Sequence, residues 1–124
     1  MWPFGKATSL AKRGEQIAAR HLRRRGFKIL DRNVQLGHYE IDIIAQERDT
    51  VAFVEVKTRR DVTLAAPEEN VTAEKRRHIR RAAHYYIDRQ DDPNLYYRFD
   101  IVSVTIPDEG KPTAALYRDA FPDE

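Results

Sequence analysis

Two short runs in this chain set acids into otherwise apolar β patterns, and they constrain the fold more than any other feature. They are Glu40-Ile41-Asp42-Ile43-Ile44-Ala45 and Val51-Ala52-Phe53-Val54-Glu55-Val56-Lys57. Their β-branched and aromatic residues suit strands. Successive side chains of a strand point to opposite faces. Glu40 and Asp42 are therefore predicted to share a face opposite Ile41 and Ile43, and Glu55 and Lys57 to oppose Val54 and Val56. An unpaired buried carboxylate is costly, so these acids need a cation or a hydrogen-bonding partner. The turn signal Arg48-Asp49-Thr50 joins the two runs as an antiparallel pair. In that pair Asp42 and Glu55 approach each other across the sheet. Two carboxylates beside a lysine make a hard-oxygen site suited to Mg²⁺, which takes one or two protein carboxylates and keeps several waters. The same spacing also fits a cross-strand salt bridge of Lys57 with Glu55 or Asp42.

The remaining segments frame these strands. Leu10, Ala11, Gly14, Ile17, Ala18, His21 and Leu22 fall on one arc at 3.6-residue spacing, which predicts an amphipathic helix over 9–25. Thr8 or Ser9 caps its start, Gly26 suits the left-handed position past its end, and Glu15 sits at the edge of the apolar stripe. Strands are expected at 27–36, 40–45 and 51–57 as an antiparallel meander, with Gly37-His38 as the first turn. Residues 60–71, with Pro67, read as a loop. Thr72 caps a second helix to about Arg89 that carries Ile79, Ala82, Ala83, Tyr86 and Gln90 on one face. A strand over 98–106 stops at Pro107, and 114–118 add a short edge strand. The order α-β-β-β-α-β predicts an α/β fold, a mixed sheet flanked by helices. A length of 124 residues suits a single domain, with a core over about 8–106 and a short C-terminal extension over 107–124.

Composition excludes several classes. No apolar run approaches the roughly 18 residues of a membrane span. The absence of cysteine rules out disulfides and thiolate zinc sites, and the opening residues lack a secretory apolar region, so a cytoplasmic location is expected. The net charge of +2 hides a segregation. Residues 1–60 hold 13 Lys/Arg against 7 Asp/Glu, whereas residues 61–124 hold 9 against 13. The basic excess gathers at Arg23-Arg24-Arg25, Arg59-Arg60 and Lys75-Arg76-Arg77 with Arg80-Arg81. Such clustering marks a nucleic-acid face or solvated helix surfaces.

Gly14-Glu15 with Ala18-Ala19, Glu40–Ala45, Phe53-Val54-Glu55-Val56-Lys57-Thr58-Arg59 and Arg98-Phe99-Asp100-Ile101-Val102 resemble the YraN-type endonuclease-like family of the PD-(D/E)xK nuclease superfamily, in its resolvase-like branch. The likeness runs from about residue 8 to residue 106. It implies a restriction-endonuclease-like fold and a divalent-metal site for Mg²⁺ or Mn²⁺. Asp42 matches the motif's aspartate and Glu55 its second carboxylate, both as metal ligands. Lys57 matches the lysine that orients or deprotonates the attacking water. Glu15 matches the acidic residue that this branch contributes to the catalytic and metal site from its first helix. The chain departs from the family at Tyr39, where Gly is usual and a ring narrows the approach of a phosphate backbone. Ile41 replaces the proline of the superfamily name, as is common in this branch.

The expected function is a divalent-metal-dependent, endonuclease-like hydrolase of phosphodiester bonds in DNA, including branched or structured forms. The alternative is a non-catalytic nucleic-acid-binding protein on a nuclease fold. A third reading is a protein-interaction module whose carboxylates form only structural ion pairs. Arg59 and Arg60 follow the metal strand and are candidates for backbone contacts near the cut. Lys75 lies on the sheet-facing stripe and either reaches the site or the phosphate or is simply solvated in the capping region. Arg77, Arg80, Arg81 and His84 lie off that stripe and suit phosphate contacts. Glu40 either ligates or pairs with a base at the strand's start. His21 is expected in the core, and His78 and His84, six apart, lack the i, i+4 spacing of shared ligation. Tyr85, Tyr86, Tyr96 and Tyr97 either stack on bases, or Tyr86 is in the core and the others cover a helix end or form a homodimer contact.

Overall fold

Both helices begin with the same device. Ser9 Oγ accepts the Lys12 N–H at 3.1 Å and Thr72 Oγ1 accepts the Lys75 N–H at 3.1 Å, each satisfying a donor that the first turn leaves orphaned. The computed structural model describes residues 9–61 and 71–121, so Thr8, Pro67 and most of the expected loop at 60–71 lie outside the described residues. Helix α1 spans Leu10–Arg24 and helix α2 spans Ala73–Ile87. Gly26, at φ 96°, occupies the left-handed position that lets the chain turn from α1 into the sheet.

The strands are β1 (Lys28–Leu36), β2 (Tyr39–Glu47), β3 (Thr50–Arg59), β4 (Tyr96–Thr105) and β5 (Thr113–Tyr117). They form one sheet in the order β1-β2-β3-β4-β5. The first three make the expected antiparallel meander. Strands β3 and β4 pair in parallel, from Thr50↔Tyr96 to Arg59↔Thr105, and the segment joining them contains α2, as a parallel connection requires. Antiparallel β5 completes a mixed sheet. This is the expected α/β architecture of helices flanking a mixed sheet, consistent with a restriction-endonuclease-like fold. No helix among the described residues is long and apolar enough to cross a membrane.

The sheet separates two cores. Helix α1 packs Ala18, Ala19 and Leu22 against Ile43, Val54 and Val102. Helix α2 packs Ile79, Ala82 and Ala83 against Ile44, Phe53 and Ile101. Phe53 is the hub of the second core, edge-on to Tyr86 and stacked with Tyr97. Tyr86 is thus packed as expected. Tyr97 is packed too, whereas Tyr85 and Tyr96 remain exposed. Phe121, beyond β5, stacks on Phe99 at 5.1 Å, so the C-terminal segment contributes to the core.

A polar network locks one end of the sheet. Asp100 is fully buried and accepts Arg98 Nε at 2.8 Å and the Asp119 N–H at 2.9 Å. Arg98 also pairs with Glu47, which accepts Arg118 Nε at 2.8 Å. Arg118, first, and Arg98 hold the Glu47 carboxyl down to about 2 from an ordinary 4.5. A depressed carboxylate stabilises the fold above its unfolded-state value and loses that contribution as pH falls through the folded one. Urea midpoints measured against pH should therefore fall between about 4.5 and 2, and Glu47→Gln should flatten that fall.

Candidate functional site

The opposite end of the sheet is built differently. The β2–β3 ladder runs from Glu47↔Thr50 to Ile43↔Val54 and stops there. One step on, Asp42 stands across from Glu55. The Val56 N–H donates to Asp42 Oδ2 at 2.8 Å instead of to a backbone carbonyl of β2. The strands part at this point without orphaning a donor.

The alternation expected along β2 also breaks here. Ile41 packs in the α2-side core and Ile43 in the α1-side core, so they do not share a face. The β1–β2 register puts Asn33 opposite Asp42, and Asn33 adopts φ 51°. Both strands therefore twist at this level, which overturns a strict period of two. Asn tolerates the left-handed region better than most residues, the one signal at position 33 that was readable beforehand.

The split opens a cleft of about 560 Å³ between α1 and the β2 and β3 ends. Glu15, Glu40, Asp42, Glu55 and Lys57 all line it. Glu55 is only 8% exposed, and Lys75 Nζ approaches its Oε2 at 4.0 Å from the first turn of α2. The Thr72 cap holds that turn in place. Burial, then the charge of Asp42, pushes the Glu55 carboxyl up to about 7, against the pull of Lys75 and Lys57. Burial raises Asp42 as well, against the Val56 hydrogen bond and the Lys75 charge. The two carboxyl groups share a hydrogen bond, so they converge as the strand pairing requires. Burial and the Asp42 charge raise Glu15, while a hydrogen bond with Asn33 lowers it. The negative charge of Glu40 raises both Glu15 and Asp42, so Glu40 belongs to the same electrostatic unit. Among the described residues, no three His, Cys, Asp or Glu side chains group to hold a metal ion by themselves.

The other expected contacts are dispersed. Arg59 is half-buried at the end of β3, and Arg60 pairs with Asp108 at 3.0 Å on the surface. Arg77 and Arg81 are exposed on α2, and Arg80 is half-buried there. His21 is half-buried on α1. The Tyr39 ring packs against His78 of α2 at 5.0 Å and is not among the residues lining the cleft.

A family profile matches residues 14–104, from the first turns of α1 nearly to the end of β4. The chain belongs to uncharacterised protein family UPF0102. This is the YraN-type family expected from the sequence. A UPF0102 protein of Caldicellulosiruptor saccharolyticus is 45% identical over 95 residues, covering 77% of this chain and 80% of the relative. One from Syntrophotalea carbinolica is 47% identical over 96 residues, covering 77% and 78%. One from Nocardia farcinica is 44% identical over 108 residues, covering 87% and 85%. The stretch matched to UPF0102 contains Glu15, Asp42, Glu55, Lys57 and Lys75, and it ends before β5.

Gly14 sets how closely α1 approaches the cleft. A Cβ at this position would lie 2.8 Å from Thr58 Cβ and closer still to its Oγ1. Rotation about the Thr58 side chain does not move its Cβ, so the helix itself would have to shift. Gly14→Ala should cost about 1–3 kcal/mol in urea denaturation, as overpacking does. Adding Thr58→Gly to it should recover part of that stability.

Proposed function

We propose that this chain is a divalent-metal-dependent, endonuclease-like protein of the PD-(D/E)xK type that hydrolyses phosphodiester bonds in DNA, structured forms included. The contact between Asp42 and Glu55 across the β2–β3 split carries this reading. Two carboxylates held together in this open-mouthed cleft repel while both are charged, and a hard cation between them relieves that repulsion. The donor set therefore fits Mg²⁺ or Mn²⁺. Asp42 and Glu55 would hold the ion, with waters completing its shell and Glu15 facing it from α1. When bound, the ion supplies Lewis-acid polarisation of the phosphoryl group and cancels charge.

The chain's own groups do the rest. The Val56 N–H fixes the Asp42 carboxylate, so its orientation costs no reorganisation on binding. Lys57 lines the cleft beside Glu55, where its ammonium orients the attacking water and offsets charge on the phosphate. Lys75 offsets the Glu55 charge and the developing charge on phosphate. Arg77, Arg80 and Arg81 on α2, with Arg59 at the end of β3, supply backbone contacts that position a duplex without reading sequence, and Arg60 joins them where a phosphate displaces Asp108. A cytoplasmic location goes with this reading.

The test is cleavage of linear, single-stranded and branched DNA in Mn²⁺ by wild type, Asp42→Asn, Lys57→Ala and Lys75→Ala. Asn keeps an oxygen for the Val56 N–H, so the first variant should retain the strand geometry while losing the charge. Activity should fall at least about 100-fold in Asp42→Asn and Lys57→Ala, and less in Lys75→Ala. Equal residual cleavage in every variant would sink the catalytic reading. Tight DNA binding with no cleavage by the wild type would favour the non-catalytic alternative.

A further inference from the structure

A second concave surface lies on α1, away from the acid cleft. A groove of about 260 Å³ runs between the C-terminal half of α1 and the segment entering β5. Arg20, His21 and Arg24 form one wall, and Lys111 and Pro112 face them. Among the described residues, no Asp or Glu lines it. Arg20, Arg24 and Lys111 make no ion pair among the described residues. Of the two acids just before Lys111, Asp108 is taken by Arg60 at 3.0 Å and Glu109 is not among the residues lining the groove.

Helix-dipole complementarity accounts for Arg24, in the last turn of α1. It does not account for Arg20, a turn further in, or for Lys111 on another element. Cations gathered without counter-charge repel one another, and an anion relieves that repulsion. His21 adds a second observation. Its Nε2 is buried without a hydrogen-bond partner among the described residues, in a side chain that lines the groove. Burial first, then the charges of Arg25 and Arg24, push its imidazole below the ordinary value.

We propose that this groove binds the phosphate backbone of a nucleic acid, separately from the acid cleft. Arg20 and Arg24 stand one turn, about 6 Å, apart along α1 at 1.5 Å per residue. That spread of charge over two elements engages successive phosphates of a chain better than one small anion. The N-terminal half of α1 lines the cleft and its C-terminal half lines the groove. A backbone held here is therefore kept at a set offset from Asp42 and Glu55. The binding is sequence-independent, and it rests on the reading of a nucleic-acid partner but not on cleavage.

The test is anisotropy of a short labelled DNA duplex over a KCl series in metal-free buffer. The proteins are wild type, the Arg20→Gln/Arg24→Gln double variant and an Arg77→Gln/Arg81→Gln comparison. The groove variant should bind about tenfold or more weakly, and its slope of log affinity against log salt should shrink by about 2, one for each phosphate that the variant no longer neutralises. All four arginines are exposed, so melting temperatures should not change. Adding duplex should also shift the His21 ring signals in NMR. Unaltered affinity and slope in the groove variant overturn the proposal even where the α2 pair matters, and that result leaves the nuclease reading standing. A His21 shift with pyrophosphate but none with duplex overturns it in favour of a small-anion site. No duplex binding by the wild type overturns it as well. Groove-dependent binding by a chain that cleaves nothing supports it while removing the nuclease reading.

Discussion

One hydrogen bond, from the Val56 N–H to Asp42 Oδ2, decides what the rest of the molecule can present. Were the β2–β3 ladder to continue past Ile43↔Val54, the main chain of β2 would satisfy Val56 and the strand ends would stay closed. An aspartate side chain in the carbonyl's place satisfies the same donor while letting the strands part. The gap becomes the cleft, and the residue that opens it is also the one brought against Glu55. Local geometry and candidate chemistry thus share a single side chain.

The two ends of the sheet use carboxylates in opposite ways. Around Asp100, acids and arginines are matched, and Glu47 is held well below its ordinary value. Such a network meets the cost of buried charge within itself. In the cleft, Glu15, Glu40, Asp42 and Glu55 gather with Lys57, Lys75 reaches Glu55 alone, and burial pushes Glu55 up to about 7. Opposed shifts in chemically similar groups separate an ion-pair network that satisfies itself from a cluster whose carboxylates are left in excess.

Much of this was legible from local rules. Ser9 and Thr72 cap where their side-chain chemistry predicts, Gly26 turns the chain, and the strands fall within a few residues of their expected bounds. The convergence of Asp42 with Glu55 followed from strand pairing, because a short turn leaves few registers. Lys75 near Glu55 followed from helix periodicity. The twist at Asp42 and Asn33 was not legible, since it arises only when β1 and β2 meet and both α1 and α2 claim residues of β2. The partner of Arg60 was equally hidden, because Asp108 lies 48 residues away and reaches it only through the folded sheet.

Hydrophobic periodicity and capping chemistry therefore determined the elements, their order and the two acids that must meet, because each depends on neighbours within a few residues or across one short turn. Tertiary structure alone decided where the sheet parts, how closely Lys75 stands to Glu55 and which arginines are already committed to acids. It also decided that Arg20, Arg24 and Lys111 share one groove. Those outcomes depend on how distant segments stack on the two faces of one sheet, and solvent exclusion there sets the strength of every charge.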